Sequence, residues 1–112
     1  MMEIIQEKCV PCRAGSPRVT AEEIAELHPM VADWELIEES SVPQLKRSFR
    51  FSDFAQALAF GNSVGEVAEA EGHHPRIVME WGRVTVSWWT HKIRGLHRND
   101  FIMAAKTDRL YS

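Results

Sequence analysis

No apolar run in this 112-residue sequence approaches the roughly 20 residues of a membrane-crossing helix, so no transmembrane segment is expected. Positive charge is not in excess either. Thirteen Lys and Arg stand against sixteen Asp and Glu, a formal charge of -3, so direct nucleic-acid binding has no electrostatic support. The opening stretch MMEIIQEKCVPC carries acids and lacks the apolar core of a secretory signal, and a cytoplasmic chain is expected. There is no internal repeat and no low-complexity segment. What is present is a hydrophobic content of 45%, normal for one globular domain and too high for disorder.

Cysteine is scarce, and both copies sit in CVPC as Cys9 and Cys12. Half of a zinc site is one reading, but tetrahedral zinc takes four ligands and this chain has no second pair. A redox pair is another, but that motif usually opens a helix after a strand. Here Pro11, Gly15 and Pro17 break the segment. The favoured reading is two reduced thiols on a terminal arm; a dimeric zinc site sharing two such pairs stays open.

Residues 1–18 read as that irregular arm, and 19–112 as the domain. Thr20 and Glu23 form a capping box ahead of a short helix, which Pro29 ends by pushing His28 out of helical geometry. WELIEE from Trp34 reads as a strand. In the next, Leu45 to Phe51, residues Leu45, Phe49 and Phe51 share one face and Arg47 is the exception. Ser52 is placed to cap a long helix to about Glu71, with Phe54, Leu58, Gly61, Val64 and Ala68 on its apolar side. Gly72 follows as a left-handed stop. Gly61 and Gly65 either permit close backbone packing or are a tolerated cost. RIVMEW and VTVSWWTH then flank Gly82-Arg83 as a hairpin. A last helix runs from about His97 to Tyr111, burying Phe101, Ala104, Ala105 and Leu110. Strands joined by hairpins and followed by helices indicate an α+β domain, its helices on one face of an antiparallel sheet.

EGHHP places His73 and His74 side by side, with His91 further on in THKIRG. If Trp81 pairs with Val84, then Met79 meets Val86 and Ile77 meets Trp88, six apolar residues on one face. Extending that ladder puts His74 opposite His91, with Cβ atoms about 5 Å apart. His73 is next along the chain, and Pro75 holds His74 extended. Glu69, one turn before His73, and Asp100, at the start of the last helix, are the nearby acids.

Three readings of the histidines compete. One is a solvated surface cluster. The second is a metal site, for which three imidazoles suit zinc but neighbouring strand residues point to opposite faces. The third is metal-free acid–base chemistry. An unperturbed imidazole titrates at about 6.5, so one ring can give a proton while another takes one. Such positioned transfer accelerates a step by about 10² to 10⁴.

The run E-x-x-x-H-H-P (Glu69, His73, His74, Pro75), the W-G-R hairpin, T-H-x-x-x-G-L (Thr90, His91, Gly95, Leu96) and D-F (Asp100, Phe101) resembles the pterin-4a-carbinolamine dehydratases. The likeness runs from about Thr20 to the end and includes Trp34 and SFRF; some bacterial members share a similar C-x-P-C. It implies three helices packed on one face of a four-stranded antiparallel sheet. It implies loss of water from 4a-hydroxytetrahydropterin to give quinonoid dihydropterin, in tetrahydropterin recycling, with no metal or organic cofactor. His73, His74 and His91 become the catalytic residues, with Glu69, Pro75, Thr90, Asp100 and Trp34 lining or shaping the pterin site. On this reading His73 and His91 exchange the protons and His74 orients the ring; Trp89, on the histidine side, is placed to wall it. Homodimers or homotetramers are usual in the family.

Two positions depart from the family pattern. His97 stands where a small hydroxyl residue often caps the last helix, and reads as a solvent-facing substitution. Asn99 replaces an arginine of animal members and is itself able to cap the helix, which would start it later. The competing function is non-catalytic: animal members assist dimerisation of a homeodomain transcription factor, and some bacterial and plastid relatives assist other assemblies. A molybdopterin-linked role is a further alternative.

Overall fold

The computed structural model describes residues 4–11 and 15–111. Helix α1 (Ala21–Leu27) begins at the expected capping box, with Thr20 and Glu23 each accepting the other's backbone N–H. It stops where Pro29 forbids continuation, but His28 is not expelled from helical geometry. Its φ of -58 and ψ of -39 make it the first residue of a 3₁₀ turn, His28–Val31. Proline is tolerated there because the first turn of a helix has no use for its N–H.

Strand β1 (Glu35–Glu39) pairs antiparallel with β2 (Val42–Arg50) through the two-residue turn Ser40-Ser41, both with positive φ. Helix α2 (Phe54–Glu71) follows, then β3 (Arg76–Glu80), β4 (Arg83–Trp88) and helix α3 (Arg98–Tyr111). The four strands lie in the order β1-β2-β4-β3, all antiparallel, with three helices: the α+β fold expected. Leu45 and Phe49 of β2 and Val84, Val86 and Trp88 of β4 are buried on the helix side. Ser48 and Thr85, bonded to one another, lie on the other face. Arg47 shares the core face, and the structure accounts for it. Its guanidinium lies 2.6 Å from Asp108 of α3 and stacks over Phe49, while Asp108 also accepts the Trp34 indole N–H at 2.8 Å.

Several local expectations are corrected. Asp53, not Ser52, caps α2, accepting the Gln56 N–H. The buried face of α2 is Ala57, Phe60, Gly61, Val64 and Ala68, whereas Phe54 and Leu58 are exposed. Gly61 does permit close approach, since an added Cβ would lie 2.8 Å from the end of Met79; Gly65 faces open space. Leu110 is exposed, and α3 instead buries Asn99, Asp100, Ile102, Met103 and Thr107 as well.

The hairpin turn is Trp81-Gly82 rather than Gly82-Arg83. Glu80 pairs with Arg83 and Met79 with Val84, and Gly82 takes the positive φ of 75. Trp81 is at the tip, 75% exposed, not in the core. The register is shifted by two residues from that expected, so every side chain keeps its face and only its partner changes. The paired ladder ends at Arg76 and Ser87, short of the histidines.

Candidate active site

Helix α2 delivers His73. Gly72 turns left-handed at φ 65, and the His73 N–H returns to the Ala68 carbonyl at 3.1 Å, so the helix stop determines where the chain leaves. The His73 ring is buried, stacked parallel on Trp88 with centroids 5.8 Å apart. Its Nε2 lies 2.6 Å from Asp100 Oδ1.

Asp100 is completely buried on the first turn of α3. Its Oδ2 accepts the Thr90 hydroxyl at 2.8 Å and the His97 N–H at 2.9 Å. The second bond is one half of a helix cap; the other is the His97 ring, whose Nδ1 accepts the Asn99 N–H at 3.0 Å. His97 is therefore the capping residue of α3, not a solvent-facing substitution, and the helix is not delayed to a cap at Asn99. The Thr90 hydroxyl and the His97 N–H thus converge on Oδ2, which leaves Oδ1 to the His73 ring; facing a carboxylate, Nε2 would be the nitrogen that carries the hydrogen.

His91 comes from a small loop. Thr90 and Gly95 exchange backbone hydrogen bonds, and Arg94 turns left-handed at φ 49 to close it. Gly95 leaves room for Arg18, which donates to the Ile93 carbonyl; an added Cβ would sit 2.6 Å from its Nε. The His91 ring is exposed and lies over Trp89, centroids 4.5 Å apart. His74 is exposed and bonds Glu69 Oε1 through Nε2 at 2.8 Å.

A cleft of about 630 Å³ brings His73, His74, Thr90 and His91 together. They converge although the ladder that was to oppose His74 and His91 stops before them. Asp100 lies behind His73 rather than on the cleft wall. Glu69 holds the outer side of His74, and Pro75 continues from it toward β3; neither lines the cleft. Trp34 does not join them: it is buried beside Asp108, eight residues and about 12 Å along α3 from Asp100.

Seven lining residues, Gly72 at the end of α2 among them, were not singled out as site residues in the sequence. Glu71, Lys92 and Asn99 border the cleft, and the N-terminal arm supplies Cys9, Val10 and Pro11. The CVPC motif drew attention to the arm but not to its place. Cys12 lies outside the described residues. Burial, and then the carboxylates of Glu71 and Asp100, push the Cys9 thiol up to about 12. It is uncharged at neutral pH. Among the described residues, no group of three or more His, Cys, Asp or Glu is arranged as a metal would require, and no helix is long and apolar enough to cross a membrane.

Comparison with known proteins yields one family. The sequence pattern of the family described as pterin 4 alpha carbinolamine dehydratase matches residues 17–110. A relative in Gloeobacter violaceus that bears the family's name is 57% identical over 109 residues, covering 97% of this chain and 94% of that protein. One in Chlorobium limicola is 60% identical over 112 residues, covering 99% and 98%. Among solved structures, a transcriptional coactivator/pterin dehydratase from Brucella melitensis is similar with a TM-score of 0.76 and 29% identity, covering 86% of this chain and all of that one. A pterin dehydratase-like protein identified as a RuBisCO assembly factor in the alpha-carboxysome has a TM-score of 0.58 and 25% identity, covering 70% and 90%.

Proposed function

This chain belongs to the pterin 4 alpha carbinolamine dehydratase family, and we propose that the cleft shared by His73, His74 and His91 is where it dehydrates a pterin 4a-carbinolamine. The reaction is a hydro-lyase elimination. The C4a–O bond breaks with its electron pair leaving on oxygen, one proton is added to make water, and one ring N–H proton is removed as the new C=N bond forms.

The observation that carries the reading is the convergence of three imidazoles on one cleft, one of them braced by a buried carboxylate. Asp100 holds the hydrogen on His73 Nε2, which leaves Nδ1 as the ring's acceptor. His73 is then the base that takes the ring N–H proton. His91, exposed over Trp89, delivers the proton to the departing hydroxyl. His74, held from outside by Glu69, orients the bicycle. Both proton carriers are restored by exchange with solvent, so each turnover leaves the protein unchanged.

The physiological setting on this reading is tetrahydropterin recycling in the cytoplasm, by a homodimer or homotetramer. The likeness to a RuBisCO assembly factor supports a second reading, an assembly protein with an idle cleft. An assembly role has no need of a carboxylate-braced histidine in a cleft, which favours the enzyme. The test is turnover of freshly generated carbinolamine by the purified chain at neutral pH. A rate well above buffer is expected, and a rate equal to buffer would reject the enzyme reading.

A further inference from the structure

We infer that the arm segment Cys9–Pro11 is the apolar wall of the substrate cleft, with Val10 and Pro11 packing against the pterin and Asn99 and Glu71 as the positioning residues that hold them there. The inference rests on the reading of the cleft as a pterin site.

Among the described residues, every one outside the arm that lines the cleft is polar, charged or glycine. A flat heteroaromatic ligand is oriented by a few polar groups but bound largely by apolar contact. Among the described residues, the arm supplies the apolar side chains of this cleft, Val10 and Pro11, and the neutral Cys9 thiol adds no charge beside them. Val10 is more than half exposed, so it has area that a ligand can cover.

The arm is held at several points along its main chain. Asn99 is 1% exposed, and its side-chain amide grips Val10 at both ends: Oδ1 accepts the Val10 N–H at 3.0 Å and Nδ2 donates to the Val10 carbonyl at 2.8 Å. Glu71 Oε1 accepts the Cys9 N–H at 2.9 Å. Upstream, Arg98 pairs with both carboxylate oxygens of Glu7, Lys106 donates to the Ile5 carbonyl, and Ile4 is buried in the core. These bonds fix the main chain of residues 9 and 10 while leaving the Val10 side chain uncommitted. The segment precedes the matched span of the family, 17–110.

The test uses the full chain with Val10→Ser and Pro11→Ser together, which removes apolar surface and keeps both backbone bonds to Asn99. Dihydropterin affinity is measured directly, beside carbinolamine turnover and thermal melting. Binding of dihydropterin should weaken about fivefold or more, with KM rising in parallel, kcat within about twofold and the melting temperature preserved. Asn99→Ala should show the same rise in KM with kcat retained, together with faster exchange of the Val10 amide. If that variant does not fold, Glu71→Ala reads the same effect at the Cys9 amide. An affinity unchanged by the double substitution, or a wild-type chain that binds no dihydropterin, would overturn the inference. A wild-type chain that binds dihydropterin but fails to turn over carbinolamine would defeat the functional reading alone.

Discussion

Asp100, with no exposed surface, holds Nε2 of His73 at 2.6 Å from its Oδ1 while its other oxygen takes Thr90 and His97. One side chain thereby braces the His73 ring, ties down the Thr90 loop and caps a helix. Asp100→Asn retains the shape but removes the charge that keeps the hydrogen on Nε2. We expect kcat to fall by about 10² or more, in the range of lost acid–base catalysis. Stability should drop by about 1–3 kcal/mol through the weakened charge-assisted bonds. Steady-state kinetics beside thermal unfolding checks both, and a kcat within threefold of wild type would remove Asp100 from the mechanism.

The three histidines should separate by kinetic signature. On the proposed mechanism His73→Ala and His91→Ala each remove a proton carrier, so kcat should fall by about 10² to 10⁴. His74 is exposed and paired with Glu69, which suits a role in binding. His74→Ala should therefore act mainly on KM, by several-fold, with kcat less affected. The reverse order, with His74 dominating kcat, would exchange the assigned roles.

Much of the site was legible in residue order because local signals sit at its joints. Glycine at 72 stops α2 and launches His73, and the Thr90–Gly95 pair closes the loop that bears His91. The hairpin register was not legible. Moving the turn from Gly82-Arg83 to Trp81-Gly82 shifts the partners by two residues and leaves every side chain on the same face. Hydrophobic alternation has a period of two and is blind to such a shift. It was the preference for burying Trp81 that pointed wrongly, since an aromatic at a turn tip has no neighbour to bury it. Trp34 was drawn toward the site by its family motif, but its indole N–H is committed to Asp108. The capping role of His97 was hidden because imidazole is an uncommon helix cap, and the arm's place at the cleft because its anchors are 62 and 89 residues away in sequence.

The β1–β2 turn is open to improvement. Ser40 and Ser41 have φ of 51 and 66, the pattern of a two-residue turn that favours asparagine then glycine. Serine pays a steric cost at each position. Ser40→Asn with Ser41→Gly should stabilise the fold by about 1 kcal/mol, raising the melting temperature by about 4–8 °C. The turn is remote from the histidines in the sequence, and turnover should be unchanged. A melting temperature that stays level or falls would show that the turn carries no such strain.

The arm's outer clamp should be sensitive to acid. Hydrogen bonding from Arg98 lowers the Glu7 pKa against a smaller opposing effect of burial, and the same contact raises the Arg98 pKa. A carboxylate depressed in the folded state contributes stability above its unfolded pKa and loses that contribution as pH falls through its folded pKa. The clamp is therefore complete from neutral pH down to the ordinary carboxylate range and is released below it. Arg98 is about half exposed, so solvent screening limits the contribution to at most ~1 kcal/mol. Glu7→Gln should speed exchange of the Cys9 and Val10 amides by up to about fivefold at pH 6. The difference from wild type should shrink in strong salt, and vanish once Glu7 is protonated. A difference that persists below the depressed pKa would mean that charge on Glu7 does not hold the arm.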